Sequence, residues 1–194
     1  MNSILRKSIL GIAGLTVAGG LAAGPLNHDT APTARDTAVT TTQAAKLDTA
    51  ALIPHGVQGT QSHIDLNDEQ TANVKAIIAA TKKAGMDERA AVVSIATALQ
   101  ESKLENLGHL GDRNDHDSQG LFQQRPSSGW GTVEQITDPE YSTTAFLKGL
   151  KQVDGWRDMP LTVAAQTVQV SAYPDHYAQW EQQAADLVAQ HWNK

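Results

Sequence analysis

The chain has 194 residues, of which 40% are hydrophobic and 19% are charged, so it can bury a core. Its formal net charge of −6 argues against nucleic-acid binding, because that requires a basic face to neutralise phosphates. It has no cysteine, which excludes disulfides, thiolate zinc sites, iron–sulfur clusters and cysteine nucleophiles.

Residues 1–24 have the pattern of a secretory signal peptide. Arg6 and Lys7 give a positive start, an uncharged stretch runs from Ile9 to Ala23, and small residues crowd its end. The rival interpretation is an uncleaved membrane anchor, although the stretch is shorter than the ~20 residues that span a bilayer. We therefore expect a secreted, extracellular or cell-wall-associated protein that touches a membrane only transiently through this segment, or is anchored by it if it is not cleaved.

Residues 25–60 are rich in Thr and Ala, with scattered Pro and almost no large apolar side chains. Such a segment buries too little surface to offset the entropy lost on ordering it. The composition predicts a flexible spacer here and one folded domain over 61–194.

Capping residues and apolar spacing predict that this domain is helical. Start signals are Asn67 with Gln70, Asp87, and Asp138 followed by a proline. The last helix carries Tyr177 in its apolar stripe. The predicted helices cover 68–84, 88–102, 139–153, 161–170 and 175–192.

The helix over 88–102 is uncharged and small or apolar from Ala90 to Leu99, which predicts a central position in the domain. The polar stretch over 105–131 that follows is 27 residues long, which is too long for an inert loop in a compact domain. The predicted fold class is therefore all-α, with a long irregular active-site loop.

Glu101 is the candidate catalytic residue. It follows eleven uncharged residues and lies at the C-terminal end of the central helix. Apolar surroundings and the negative end of the helix dipole should both raise the pKa of this carboxyl group. A carboxylic acid that stays protonated near neutral pH can act as the general acid in glycosidic-bond cleavage. The alternative is a helix-terminal glutamate that points into water.

Three strings in order carry a family resemblance: ALQESKLENL over 98–107, SQGLFQQRP over 118–126, and Asp138-Pro139 after VEQIT. They resemble the lytic transglycosylases and related lysozyme-like enzymes that cleave peptidoglycan. In that family a Glu-Ser pair precedes a Gly-Leu-Met-Gln segment that lines the glycan groove, and an Asp-Pro helix start follows. The resemblance covers roughly residues 70–180. Two longer strings, GDRNDHDSQGLFQQRPSSGWGT and AAQTVQVSAYPDHYAQW, look like a lysozyme-like branch typical of secreted actinobacterial proteins.

The resemblance implies a lysozyme-like fold in which Glu101 acts as general acid and then as base. It further implies that Ser102 orients Glu101, that Gly120 lets the chain approach the sugar closely, and that Phe122 and Gln123 contact substrate.

The chain departs from the family at the Ala-Tyr-Asn-x-Gly segment, whose Tyr hydrogen-bonds near the catalytic Glu. Gln169 or Tyr173 would take that role here. Trp130, flanked by glycines in the polar loop, is a candidate for stacking on a sugar ring, with burial in the core as the alternative.

The implied function is cleavage of the bond between N-acetylmuramic acid and N-acetylglucosamine, by a monomer whose partners are peptidoglycan glycan strands. Hydrolysis needs a second carboxylate, for which Asp112, Asp115 and Asp117 are candidates, whereas a lytic transglycosylase can work with one. Equally, these aspartates could stabilise turns. The alternatives are a non-catalytic lysozyme-like cell-wall-binding protein and a structural helical domain.

We expect neither a metal nor a cofactor. The string DRNDHDSQG suggests a calcium loop, but the closing Glu of an EF-hand is absent because position 126 is proline. No His-Glu-x-x-His pattern and no phosphate-binding loop is present.

Overall fold

The computed structural model of the chain describes residues 47–194. The predicted signal peptide over 1–24, and the predicted spacer up to residue 46, lie outside the described residues. From residue 47 onward, the structure contains no helix that is both long and apolar enough to cross a membrane.

The described residues form helices and no strand, which confirms the all-α class for this part of the chain. A single isolated bridge pairs Gln119 with Gln124. The α-helices are α1 (Asp68–Lys83), α2 (Glu88–Ser102), α3 (Val133–Ile136), α4 (Pro139–Leu150), α5 (Leu161–Gln169) and α6 (Glu181–His191).

The three helix starts predicted from capping residues are confirmed, because those signals act locally. The Asn67 side chain accepts from the Gln70 backbone N–H in a complete capping box. The Asp87 and Asp138 side chains accept from the backbone N–H groups of Ala90 and Tyr141 and so cap the starts of α2 and α4. The short helix α3 was not predicted, although Thr132 and Gln135 form a second complete capping box.

Two predicted bounds were wrong. Helix α4 ends at Leu150 rather than 153, because the N–H groups of Gln152 and Val153 bond three residues back in tighter turns. The predicted helix over 175–192 is split, since His176–Trp180 forms a 3-10 helix before α6 begins at Glu181.

Helix α2 occupies the centre of the domain, as its composition predicts. Every residue from Ala90 to Leu99 is buried, and α2 contacts α1, α4, α5 and α6. A helix surrounded in this way presents only its ends to solvent. The C-terminal end of α2 is therefore the place where a polar side chain can leave the core.

The spacer prediction is wrong where the described residues overlap it. Leu52 and Ile53 are buried in the core, and Ala50–Leu52 forms a 3-10 helix. The Arg89 guanidinium of α2 donates to the Leu52 carbonyl oxygen at 2.9 Å. Two neighbouring large apolar residues, together with this hydrogen bond, therefore pack a Thr/Ala-rich segment onto the helical domain.

Candidate functional site

A groove of about 800 Å³ opens beside the C-terminal end of α2. Three segments line it: Gln100 and Glu101 at the end of α2, residues between 115 and 130 of the long loop, and residues 168–173 at the end of α5. The loop predicted to carry function therefore borders the candidate catalytic residue.

The end of α2 is closed by a turn that holds Glu101 in place. Lys103 and Leu104 both adopt left-handed backbone conformations, and their N–H groups bond back into the last turn of the helix. Their carbonyl oxygens each accept a side-chain amide from α1, from Gln70 and Asn73 respectively, at 2.8 Å. Tertiary hydrogen bonds therefore fix the segment directly after Glu101.

Two neutral groups donate to the same oxygen of Glu101. The Tyr177 hydroxyl donates to Glu101 Oε1 at 2.6 Å, and the Gln169 side-chain amide donates to it at 3.4 Å. Burial raises the pKa of Glu101 above the usual range for Glu, and the negative charge of Asp115 adds to that increase. The two hydrogen bonds and the charge of Lys103 oppose the increase without cancelling it.

Lys103 is engaged with the helix end. Its Nζ donates to the carbonyl oxygens of Leu99 at 3.1 Å and Gln100 at 3.4 Å, and lies 4.8 Å from the centre of the Trp180 ring. Burial lowers the pKa of Lys103. Within residues 47–194, no Lys, Arg or His forms an ion pair with Glu101.

Tyr177 is a site residue that sequence reasoning missed. Its apolar spacing places it in a buried stripe, and the structure does bury it completely. Burial and the charge of Glu101 raise the pKa of Tyr177, so its hydroxyl remains protonated and serves as a donor. No local pattern distinguishes such a tyrosine from an ordinary core residue, because its partner lies 76 positions away.

Of the two residues expected to reach Glu101, the structure selects Gln169. The Gln169 amide bonds both Glu101 and, at 2.8 Å, the Phe122 carbonyl oxygen. It therefore links the helix end to the long loop. Tyr173 lines the groove but is 63% exposed and stacks on the His176 ring, with centroids 5.0 Å apart.

Phe122 does not line the groove, which corrects its expected contact with substrate. Ser102 does not line it either, and its hydroxyl bonds residues other than Glu101, which corrects its expected role in orienting that side chain. The Ser102 hydroxyl is buried and bonds the carbonyl oxygens of Ala98 and Leu121, so it secures the loop to α2. The Phe122 ring is buried and stacks on Phe146 at 5.1 Å. Their side chains point into the core because the central helix and the loop pack against each other there.

Gly120 is also absent from the groove lining, so the expected approach to a sugar is wrong. Its φ of +76° favours glycine, and a Cβ at this position would overlap the Ile136 carbonyl group. The close approach is thus to the backbone at the end of α3.

Gln123 and Trp130 do line the groove, in agreement with their predicted positions. The Gln123 amide donates to the Gly120 carbonyl oxygen at 3.0 Å. Trp130 is half-buried between Gly129 and Gly131, both of which have positive φ.

The three loop aspartates have different surroundings. Asp115 lines the groove and pairs with Arg125 at 2.6 Å. Asp117 accepts from the backbone and hydroxyl of Ser127, bonds that lower the pKa of Asp117 and give it the turn-stabilising role. Asp112 is exposed in the 3-10 helix Gly111–Arg113. No cluster of His, Asp and Glu able to hold a metal ion occurs between residues 47 and 194.

Strained backbone is concentrated around the groove. A non-glycine residue with positive φ is uncommon, and such residues tend to cluster at functional sites. Two of them, Gln123 and Val170, line the groove directly. The others in the described chain are Lys103, Leu104 and His116, which follow Glu101 and Asp115 closely in sequence.

No protein-family model matches the chain, and no curated protein is significantly similar to it in sequence.

Proposed function

We propose that this chain is a peptidoglycan-cleaving enzyme of the lysozyme-like type and that Glu101 is its general acid. The observation that carries the proposal is a carboxyl group of raised pKa, bordering an 800 Å³ groove at the end of a buried helix. Both hydrogen bonds that residues 47–194 donate to this carboxyl group fall on Oε1, which leaves Oε2 for the proton that the proposed catalysis transfers.

The proposed reaction begins when Glu101 donates its proton to the oxygen of the bond between N-acetylmuramic acid and N-acetylglucosamine. The bond between C1 and that oxygen then breaks, and the departing sugar keeps the oxygen as a hydroxyl. An acceptor hydroxyl attacks C1 and returns a proton to the Glu101 carboxylate, which restores the acid.

We propose that the acceptor is the 6-hydroxyl of the same muramic acid, which closes a 1,6-anhydro ring. Hydrolysis would need a second carboxylate to activate water or trap the intermediate. Among the described residues, Asp115 is the other carboxylate that lines the groove, and it forms an exposed ion pair with Arg125. One free carboxyl group suits intramolecular attack better than attack by water.

Digestion of purified sacculi tests the proposal. The full chain should release 1,6-anhydro-muropeptides, detected by mass spectrometry, and Glu101→Gln should release them about 10²- to 10⁴-fold more slowly. Glu105→Gln is the matched control, because Glu105 is an exposed glutamate outside the groove lining; its activity should equal that of the wild type.

Equal release by the wild type and by Glu101→Gln would contradict the role of Glu101. Reducing ends in place of anhydro ends would show that the reaction is hydrolysis and not transglycosylation. Loss of those reducing ends in Asp115→Asn would then identify Asp115 as the second carboxylate. Binding to sacculi without any release would favour the non-catalytic wall-binding alternative.

A further inference from the structure

Val170 combines two unfavourable features at the edge of the groove. Its side chain is 81% exposed, more than any other large hydrophobic residue from residue 47 onward. Its φ is +53°, in the left-handed region that a β-branched residue rarely adopts. Neither feature contributes to stability, and a glycine or an asparagine would remove the conformational penalty at this position.

The surrounding turn imposes this conformation. Helix α5 ends at Gln169, and the Val170 N–H bonds back to the Gln166 carbonyl oxygen at 2.8 Å. The Gln166 side-chain amide then holds the backbone of Ser171 on both its N–H and its carbonyl oxygen. The turn therefore fixes the direction of the Val170 side chain, as expected where strain serves a function.

The position of Val170 connects it to the catalytic residue. It follows Gln169, whose amide bonds Glu101, and it lines the same groove. The segment around it adds Val168, Ala172 and the Tyr173 ring to the lining, whereas the long loop adds mainly charged and polar side chains. The groove thus offers apolar atoms chiefly along one segment.

We propose that Val170 contacts the acetamido methyl group of an N-acetylated sugar and so makes the groove selective for glycans that carry C2 acetamido groups; this inference rests on the proposed function. The flat CH face of a sugar stacks on aromatic rings, which Trp130 and Tyr173 supply in this groove. A branched aliphatic side chain instead matches a methyl group. A C2 hydroxyl placed against Val170 would lose water and gain no hydrogen bond.

Binding of two neutral tetrasaccharides to the full-length Glu101→Gln protein tests this. Chitotetraose carries C2 acetamido groups and cellotetraose carries C2 hydroxyls, so their affinity ratio by calorimetry or NMR titration reports acetamido recognition without a charge difference. We expect chitotetraose to bind at least about tenfold more tightly, the lower end of the effect of one methylene in an apolar pocket.

Adding Val170→Gly or Val170→Asn should reduce that ratio towards one, and the doubly substituted proteins should unfold at the same or a higher temperature, because both residues tolerate positive φ. Val163→Ala is the matched control: Val163 is 45% exposed on α5, the helix that Val170 directly follows, but it lies outside the groove lining. It should leave the ratio unchanged.

An unchanged ratio in both Val170 variants, or equal binding of the two tetrasaccharides by Glu101→Gln, would overturn the inference while cleavage of sacculi by the wild type upheld the proposed function. Binding of neither tetrasaccharide would overturn it as well. Absence of both binding and cleavage would overturn the proposed function together with the inference.

Discussion

The two ends of helix α2 each carry an ionisable side chain whose charged form the helix dipole disfavours. The two side chains differ in the partners that surround them. Arg89 stands near the positive N-terminal end, and Glu101 near the negative C-terminal end. Arg89 pairs with the buried carboxylate of Glu181 at 2.7 Å and also donates to the carbonyl oxygens of Leu52 and Met159. From the described part of the chain, Glu101 receives hydrogen bonds only from the neutral donors Tyr177 and Gln169.

This difference distinguishes Arg89, whose charge stabilises the fold, from Glu101, whose carboxyl group we propose to react. A buried ion pair with further hydrogen bonds fixes the elements that it joins. A buried carboxyl group with neutral donors retains an unfavourable ionised form, so its pKa lies above the usual range for Glu. The same helix therefore holds an ion pair at one end and the proposed acid at the other.

The largest effect should come from breaking the Arg89–Glu181 ion pair at the N-terminal end of α2. Arg89→Met removes the cation and leaves Glu181 buried without its partner, so we expect a loss of about 3–5 kcal/mol in the free energy of unfolding. Chemical denaturation measures this loss. The double variant Arg89→Met with Glu181→Met should recover much of it, because no charge is then buried. A single variant within about 1 kcal/mol of the wild type would show that the pair is not the anchor.

The second test removes the ionisable group at the C-terminal end of α2. Its expected effect on the free energy of unfolding is a gain rather than a loss. Because the pKa of Glu101 is raised in the folded state, the folded protein binds the proton more tightly than the unfolded chain does. That contribution is complete below the unfolded pKa and is lost as pH rises through the folded pKa. Glu101→Gln cannot ionise, so it should be more stable than the wild type at pH 7, on the order of 1 kcal/mol.

Thermal unfolding of both proteins across pH 3 to 8 checks this expectation. The gain should vanish below about pH 4, where Glu is protonated in both states. Glu105→Gln serves again as the control and should show no such pH-dependent gain. A Glu101→Gln protein less stable than the wild type at pH 7 would mean that the carboxylate is better compensated than its neighbours indicate.

The smallest effect should come from Tyr177→Phe, which removes one neutral donor and keeps the ring in the core. The variant should lose on the order of 0.5 kcal/mol of stability, since Gln169 still donates to the same oxygen. The Tyr177 hydrogen bond lowers the pKa of Glu101, so its loss should raise that pKa further. The alkaline limb of the pH–activity profile should then move to higher pH, and a shift to lower pH would contradict this arrangement.

Much of the helical architecture could be predicted because its signals are local. A cap such as Asn67, Asp87 or Asp138 satisfies backbone groups within three residues, so the sequence near each helix start contains the whole interaction. The position of Glu101 after an uncharged run follows from the same kind of local pattern. Both the central place of α2 and the direction of the Glu101 pKa shift depend on that run.

The remaining features depend on contacts between distant parts of the chain. The burial of Leu52 and Ile53 needs surfaces of the domain that their own segment does not contain. The Tyr177 hydroxyl reaches Glu101 only after the last helices pack against α2. A residue's place in a sequence motif also does not tell which way its side chain points. For this reason the burial of Ser102 and Phe122 in the core could not be predicted.

Gly120 has a consequence for evolutionary comparison. Any side chain at this position would collide with the carbonyl group of Ile136, whatever ligand the groove binds. Selection should therefore retain glycine there whether or not a protein of this fold has the activity proposed for Glu101. Invariance at Gly120 would record the backbone contact between the loop and α3. Relatives that keep Gly120 but replace Glu101 would have kept the fold without the proposed acid.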